Sequence, residues 1–228
     1  GIESTKEKAM AYKELEPSRK LTALAMDIMQ HDDFCRLGGL ANVGRQLLKE
    51  GARTAATDGR DTWWDPAFLN SLTRKQGRYV FAHELMHKAL RHCTEYKLLA
   101  KTDRRCFGMA IDYIVNQLIE DMDPTLSFIE RPTSPAPLLD PKYQGWSLVQ
   151  VYRDLRQQQD EQQKKGGKGN GGQGGDGDVM DEHIMSEEPS TPEEKEAMEQ
   201  LARDIADAVH QGQRAFEAKQ QLRGKGGG

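Results

Sequence analysis

The sequence predicts an α+β fold that is mostly helical, with a small antiparallel hairpin beside a central helix. Apolar residues recur at helical spacing through most of the chain before about residue 155. Residues 52–66 are different, because two short β-prone runs there flank an Asp-Gly turn. Aromatic and β-branched residues also concentrate before residue 156, so the core is expected from the first two-thirds of the chain.

The change in composition divides the 228 residues into three predicted parts. Residues 1–160 are predicted to form one domain. Residues 161–180 contain a Gly-rich run and are predicted to be a flexible insert. Residues 181–228 are predicted to form a polar C-terminal helix and tail. One interpretation makes the insert a lid over the site and His183 an inhibitory metal ligand. A spacer role for the insert and a solvated His183 are the simpler interpretations.

Charge and cysteine content narrow the functional classes. The formal net charge is −4 without a dense basic stripe, so we expect no nucleic-acid partner. Three cysteines at unrelated spacings indicate a reducing compartment. No apolar run approaches the ~20 residues of a membrane span, and no signal peptide is evident. We therefore expect a cytoplasmic protein without a membrane partner.

Helical spacing predicts the main elements, and Thr73 with Gln76 forms a capping box at the start of one helix. Residues 40–48 fit either a short strand or a helical turn. Residues 123–145 hold five prolines and are predicted to be loop. The predicted helices cover residues 3–33, 74–99, 103–121, 147–157 and 191–222.

The predicted hairpin pairs residues 53–57 with residues 62–64 across Asp58-Gly59. Because Trp63 and Trp64 alternate, at least one of them should be buried. An exposed strand of this hairpin could pair with an extended substrate backbone. Ordinary core sheet is an equally good interpretation of the sequence.

The run His83-Glu84-Leu85-Met86-His87 lies on the helix predicted from residue 74. Two histidines four residues apart project about 40° from one another, so both imidazoles can reach one ion. Glu84 lies about 100° round the helix from His83, a position suited to a general base rather than to a ligand. The motif therefore predicts a Zn²⁺ site with His83 and His87 as metal ligands and Glu84 as the catalytic base.

Two residues are candidates for the third protein ligand. On a continuous helix His92 would point about 180° away from His83, which favours a surface role or a hydrogen bond to a ligand. Asp112 lies on a helix that is apolar on nearly every side, where a carboxylate is costly unless it is paired or metal-bound. We prefer Asp112, with Asn116 holding the free nitrogen of a histidine. An ion pair of Asp112 with Arg104 or Arg105 is the alternative.

Several segments together resemble the metallopeptidase-like domain that lies ahead of a VWA-like domain in bacterial and phage proteins, which often accompany MoxR-type AAA ATPases. The similarity covers residues 18–120 well and Asp181-Glu182-His183 more weakly. The segments that carry it are Thr54-Ala55-Ala56-Thr57-Asp58-Gly59, Trp64-Asp65-Pro66, Leu72-Thr73, residues 82–92 around the motif, and Ala110-Ile111-Asp112-Tyr113-Ile114-Val115-Asn116.

This resemblance implies a zincin-like fold, with His83, His87 and Asp112 as ligands, Glu84 as base and a supporting role for His92. It implies a zinc peptidase that cleaves an extended protein or peptide segment by Glu-assisted attack of a zinc-bound water. A zinc-binding adaptor that works with an AAA ATPase or VWA-domain partner is the alternative, and a zinc hydrolase of non-peptide substrates is a minor one. No VWA-like domain follows within this sequence, so that partner is an expectation from the resemblance only.

Overall fold

Helices make up most of this computed structural model, which describes residues 12–165 and 184–225. Two 3₁₀ helices cover Phe34–Asn42 and Pro141–Tyr143. The α-helices, in chain order, are α1 (Pro17–Gln30), α2 (Pro66–Ser71), α3 (Arg74–Ala89), α4 (His92–Glu95), α5 (Lys97–Thr102), α6 (Arg104–Met122), α7 (Leu148–Lys165) and α8 (Pro192–Lys225).

The sheet has three short strands in the order β1-β3-β2, namely β1 (Gln46–Leu48), β2 (Ala55–Thr57) and β3 (Thr62–Trp64). Strands β2 and β3 form the predicted antiparallel hairpin. Strand β1 pairs with β3 in parallel, so the prediction of a purely antiparallel sheet was wrong. Residues 40–48, for which the sequence allowed either a strand or a helical turn, contain both. They include the end of the first 3₁₀ helix and then strand β1.

A positive φ of 73° at Gly44 directs the chain into β1, and a Cβ there would overlap the Arg60 carbonyl. Glycine is therefore required at this turn. The Asp61 carboxylate fixes the next residue by accepting a hydrogen bond from the Arg45 backbone at 2.9 Å. The expected burial of one tryptophan is confirmed, because Trp64 has no exposed surface.

The capping box at the start of α3 is confirmed. The Thr73 hydroxyl accepts from the Gln76 backbone at 3.1 Å, and the Gln76 side chain accepts from the Thr73 backbone at 3.0 Å. Helix α6 begins with a similar device, because the Asp103 carboxylate accepts from the Cys106 backbone at 2.9 Å. Each contact satisfies a backbone N–H that lacks a partner within the first helical turn.

The predicted continuous helix over residues 74–99 was wrong. Helix α3 ends at Ala89, and Arg91 adopts a left-handed conformation with φ 56°. The Arg91 backbone N–H turns back to the Lys88 carbonyl at 3.0 Å, after which α4 and α5 continue in new directions. A left-handed arginine is disfavoured, and the burial of His92 and Cys93 just beyond it offsets that cost.

The main core draws on more of the chain than its composition predicts. Helix α8 contributes Leu201, Ile205 and Ala208, which are buried with residues of α1, α3 and the first 3₁₀ helix. Its close approach requires glycine at two positions, since a Cβ at Gly212 would overlap the Arg36 carbonyl and one at Gly39 would crowd Ala208. The expectation that residues before 156 build the core alone is therefore corrected.

The remaining predictions hold in part. The segment at 123–145 is loop, as predicted, apart from the 3₁₀ helix at Pro141–Tyr143. Helix α7 continues to Lys165, beyond the predicted end at residue 157. Residues 3–11, His183 and the insert after residue 165 lie outside the described residues. The proposed division into three parts stays a prediction. Among the helices described, none is long and apolar enough to cross a membrane.

Candidate metal centre

Two neighbouring helices bring three metal-ligating side chains together at the centre of the fold. Helix α3 presents His83 and His87 on one face, and α6 presents Asp112 opposite them. The two histidine Nε2 atoms are 2.9 Å apart. The Asp112 Oδ1 atom lies 3.6 Å from His83 Nε2 and 3.5 Å from His87 Nε2. All three side chains have 0% exposure, so they are shielded from bulk water.

The spacing of these atoms fits one small cation. Ligand atoms about 2.0–2.1 Å from a tetrahedral ion lie about 3.3 Å from each other, which falls between the shortest and longest separations here. Two imidazoles and one carboxylate are a donor set typical of catalytic zinc sites, in which a fourth position is left for water or substrate. His83, His87 and Asp112 could therefore hold a zinc ion.

A hydrogen bond from α6 fixes the His83 ring. His83 Nδ1 lies 2.9 Å from Asn116 Oδ1, and Asn116 Nδ2 donates to the Leu138 carbonyl at 3.1 Å. Because a carbonyl can only accept, this second bond assigns the two ends of the Asn116 amide. The amide oxygen must then accept from His83 Nδ1–H, which leaves the Nε2 lone pair directed at the cluster.

His92 plays the matching part for His87. The two Nδ1 atoms lie 2.9 Å apart, so one of them donates and the other accepts. If His87 Nε2 binds a metal, then His87 Nδ1 carries the proton and donates a hydrogen bond to His92 Nδ1. The expected direction of His92, away from His83, was wrong because the left-handed Arg91 breaks the helix and returns the ring to the site.

Glu84 lies beside the cluster on α3 and is only 1% exposed. One helical turn further on, Lys88 is fully buried and donates to the Val43 carbonyl at 2.9 Å. Burial lowers the pKa of Lys88 to about 8, although the nearby carboxylates of Glu84, Asp58 and Asp61 oppose this change. The Glu84 carboxylate thus shares a water-poor environment with a cationic group, which is a setting for proton transfer.

The structure brings together the site residues that the sequence predicted, and it adds the buried Lys88, which sequence reasoning missed. His83, Glu84, His87, His92, Asp112 and Asn116 all lie together, as the positions above show. Lys88 was missed because a lysine at the end of a helix ordinarily lies at the surface. A possible signal was its position one helical turn after Glu84, where a lysine can face the carboxylate.

A family comparison covers nearly the whole described chain. The model of a family described as "Putative metallopeptidase domain" matches residues 17–225. This chain belongs to that family. The match includes both helices of the cluster and extends through α8, which agrees with the packing of α8 on the main core. No curated protein and no solved structure matches the chain.

Loss of either supporting hydrogen bond should weaken metal binding at this cluster, for which zinc is the probe. We expect His92→Ala and Asn116→Ala each to lower zinc affinity by about 10–100-fold, because the partner histidine loses its fixed orientation. Competition with a chromogenic chelator measures the affinity. His210→Ala is the matched control, because His210 is exposed on α8 and should leave affinity unchanged. Unchanged affinity in both test variants would contradict the assigned orientations.

Proposed function

We propose that this chain is a zinc-dependent peptidase that cleaves an extended protein or peptide segment. The observation that carries the proposal is the convergence of His83, His87 and Asp112 within 4.8 Å in a chain of a metallopeptidase family. Glu84, the expected base, lies on the same helix and within the same buried region. The two histidines and Asp112 would hold the zinc ion.

Zinc bound there would supply a Lewis acid that polarises the scissile carbonyl and lowers the pKa of water. Glu84 would accept a proton from the attacking water and later deliver it to the departing amine. Asn116 and His92 would keep the two histidine rings in the orientation that binding requires. Burial of Glu84 keeps competing water away from its carboxylate.

The position of β2 in the sheet supports an extended form of the substrate. Strand β2 is at the edge of the sheet and packs against α3, which carries the metal ligands. A peptide backbone can add to such an edge as a further strand, because the edge residues direct their outer N–H and C=O groups away from the sheet. A substrate bound there would run close to the cluster.

Removing the metal should abolish cleavage reversibly. We expect chelator-treated protein to lose all cleavage of fluorescently labelled, unfolded casein, and stoichiometric zinc to restore it, because the chemistry needs a Lewis acid. Metal content is measured on the same samples. Cleavage that survives complete removal of metal would contradict the proposal.

Complete burial of the three ligands also suits a second candidate, a zinc-binding adaptor without peptidase activity. Structural zinc sites are closed, whereas catalytic sites keep one position open. An AAA ATPase or a VWA-domain protein is the partner we would propose for such an adaptor. Stoichiometric zinc with no cleavage of casein or of the chain itself would favour this function.

A further inference from the structure

Residues 184–188, which we call the strap, lie along the outer side of the sheet and the start of α4. The Ile184 backbone N–H donates to the Thr57 carbonyl at 3.3 Å. Two residues later, the Ser186 backbone N–H donates to the Cys93 carbonyl at 3.0 Å, and the Ser186 hydroxyl contacts the same oxygen at 3.1 Å. The two donors lie at alternate residues, as in an extended chain, and they bond in turn to the edge of β2 and to the start of α4.

The Thr57 carbonyl, which accepts from Ile184, lies on the edge of β2 that faces away from β3. The Asp65 N–H bonds to the Thr54 carbonyl at 2.8 Å and the Asp58 N–H to the Asp61 carbonyl at 3.3 Å, so even-numbered residues of this strand face β3. Thr57 therefore faces outward. Its carbonyl also accepts from the Cys93 thiol at 3.3 Å, which joins the sheet edge to α4.

The strap lies close to the metal cluster. Cys93, whose carbonyl holds Ser186, directly follows His92, and the His92 ring contacts His87. His83, His87 and Asp112 have no exposure in this arrangement. A substrate must therefore displace part of the chain to reach them, and the strap is held to its neighbours by only a few partly exposed contacts.

Side chains of the strap define a pattern that a peptide could reproduce. Met185 packs against a smaller apolar cluster formed by residues of α5, α6 and α7, and it lines a cavity of about 300 Å³ with Ala100 and Arg104. Beyond Ser186 the chain becomes acidic. Lys97 Nζ donates to the Glu187 carbonyl at 2.9 Å and lies 3.6 Å from the Glu188 carboxylate. The pattern is an apolar residue, then a hydroxyl residue, then acidic residues.

We propose that the strap is the resident occupant of a peptide-binding edge on β2 and α4, and that it competes there with extended peptides of the same pattern. Displacement of the strap opens the path to the metal cluster. That the bound peptide is a substrate rests on the proposed peptidase function. The existence of the peptide-binding edge does not depend on that function.

Ser186→Pro tests the strap in the full, zinc-loaded chain, because it removes both the N–H and the hydroxyl that contact Cys93. We expect EDTA to extract zinc about fivefold faster than from the wild type, in keeping with the loss of a hydrogen bond. A fluorescein-labelled peptide Ile-Met-Ser-Glu-Glu should bind about fivefold more tightly, as measured by anisotropy. Glu187→Pro is the matched control, because the carbonyl of Glu187 makes the contact with Lys97 and proline keeps a carbonyl.

Equal extraction rates and equal peptide affinity in Ser186→Pro and Glu187→Pro would overturn the inference. If circular dichroism shows that Ser186→Pro does not fold, Lys97→Met replaces it in the extraction measurement alone, because that change removes the contacts of Lys97 with the strap. The peptide measurement is not made on Lys97→Met, since the two glutamates of the peptide would contact the same lysine. Neither readout requires cleavage. Faster extraction without any proteolysis would support the strap and contradict the peptidase, whereas proteolysis with unchanged extraction would do the reverse.

Discussion

Replacing Glu84 with glutamine should lower kcat for casein cleavage by about 10²–10⁴-fold while the chain keeps its zinc. Glutamine has nearly the same shape as glutamate and cannot accept the proton of the attacking water. The proposed metal ligands His83, His87 and Asp112 are unchanged, so zinc content should stay near one ion per chain. The measurements are kcat on the labelled substrate and metal content by mass spectrometry.

A matched control uses a glutamate outside the cluster. Glu199 is exposed on α8, so Glu199→Gln should retain both zinc and activity. Wild-type kcat in Glu84→Gln would exclude Glu84 as the base. Loss of zinc together with activity would instead assign Glu84 a part in holding the metal.

Replacing Asp112 with asparagine should almost abolish zinc binding. The change removes the one carboxylate of the proposed ligand set, so we expect affinity to fall by more than the roughly 100-fold upper limit for loss of an outer hydrogen-bond partner. In the metal-free chain the same change removes a buried charge, whose burial is costly. The melting temperature without zinc should therefore stay the same or rise, while the increase on adding zinc disappears.

Asp123→Asn provides the control for this experiment. Asp123 is also a buried aspartate, but its carboxylate accepts backbone hydrogen bonds from Ser127, Phe128 and Ile129. These contacts hold the pKa of Asp123 below its usual range despite its burial. Its replacement should lower stability and leave the zinc-induced rise in melting temperature intact. A full zinc response in Asp112→Asn would remove Asp112 from the proposed ligands.

Local signals in the sequence predicted the parts of the fold that depend on neighbouring residues. The Thr73–Gln76 capping box and the Asp58-Gly59 turn were predicted because each satisfies its backbone within a few positions. The pairing of His83 and His87 depends on helical spacing alone. The position of Asp112 beside the two histidines was predicted from its apolar surroundings, since a carboxylate on such a helix needs a partner.

The features that were not predicted depend on contacts between distant segments. Strand β1 forms because Gly44 and the Arg45–Asp61 pair bring it against β3, and no short pattern encodes that parallel pairing. The break at Arg91 has no glycine to mark it, so the local sequence favours a continuous helix. That break places His92 in the cluster, which is why spacing along an ideal helix gave the wrong direction for its ring.

Helix α8 shows the limit of composition as a guide to the core. Its many charged and Gln residues predict a solvated helix, yet Leu201, Ile205 and Ala208 repeat at helical spacing and are buried. The stripe is narrow, and Gly39 and Gly212 permit the close contact that buries it. A periodic analysis of this segment would have identified the buried face that the average composition conceals.

The most direct test of the metal centre is anomalous diffraction from crystals of the zinc-loaded chain, recorded on both sides of the zinc absorption edge. The structure predicts a single strong peak among His83 Nε2, His87 Nε2 and Asp112 Oδ1, about 2.0–2.2 Å from each atom. His92 and Asn116 should lie outside ligand distance, against the far nitrogens of the two histidines. A zinc peak elsewhere, or one that has His92 in place of Asp112, would contradict the assignment.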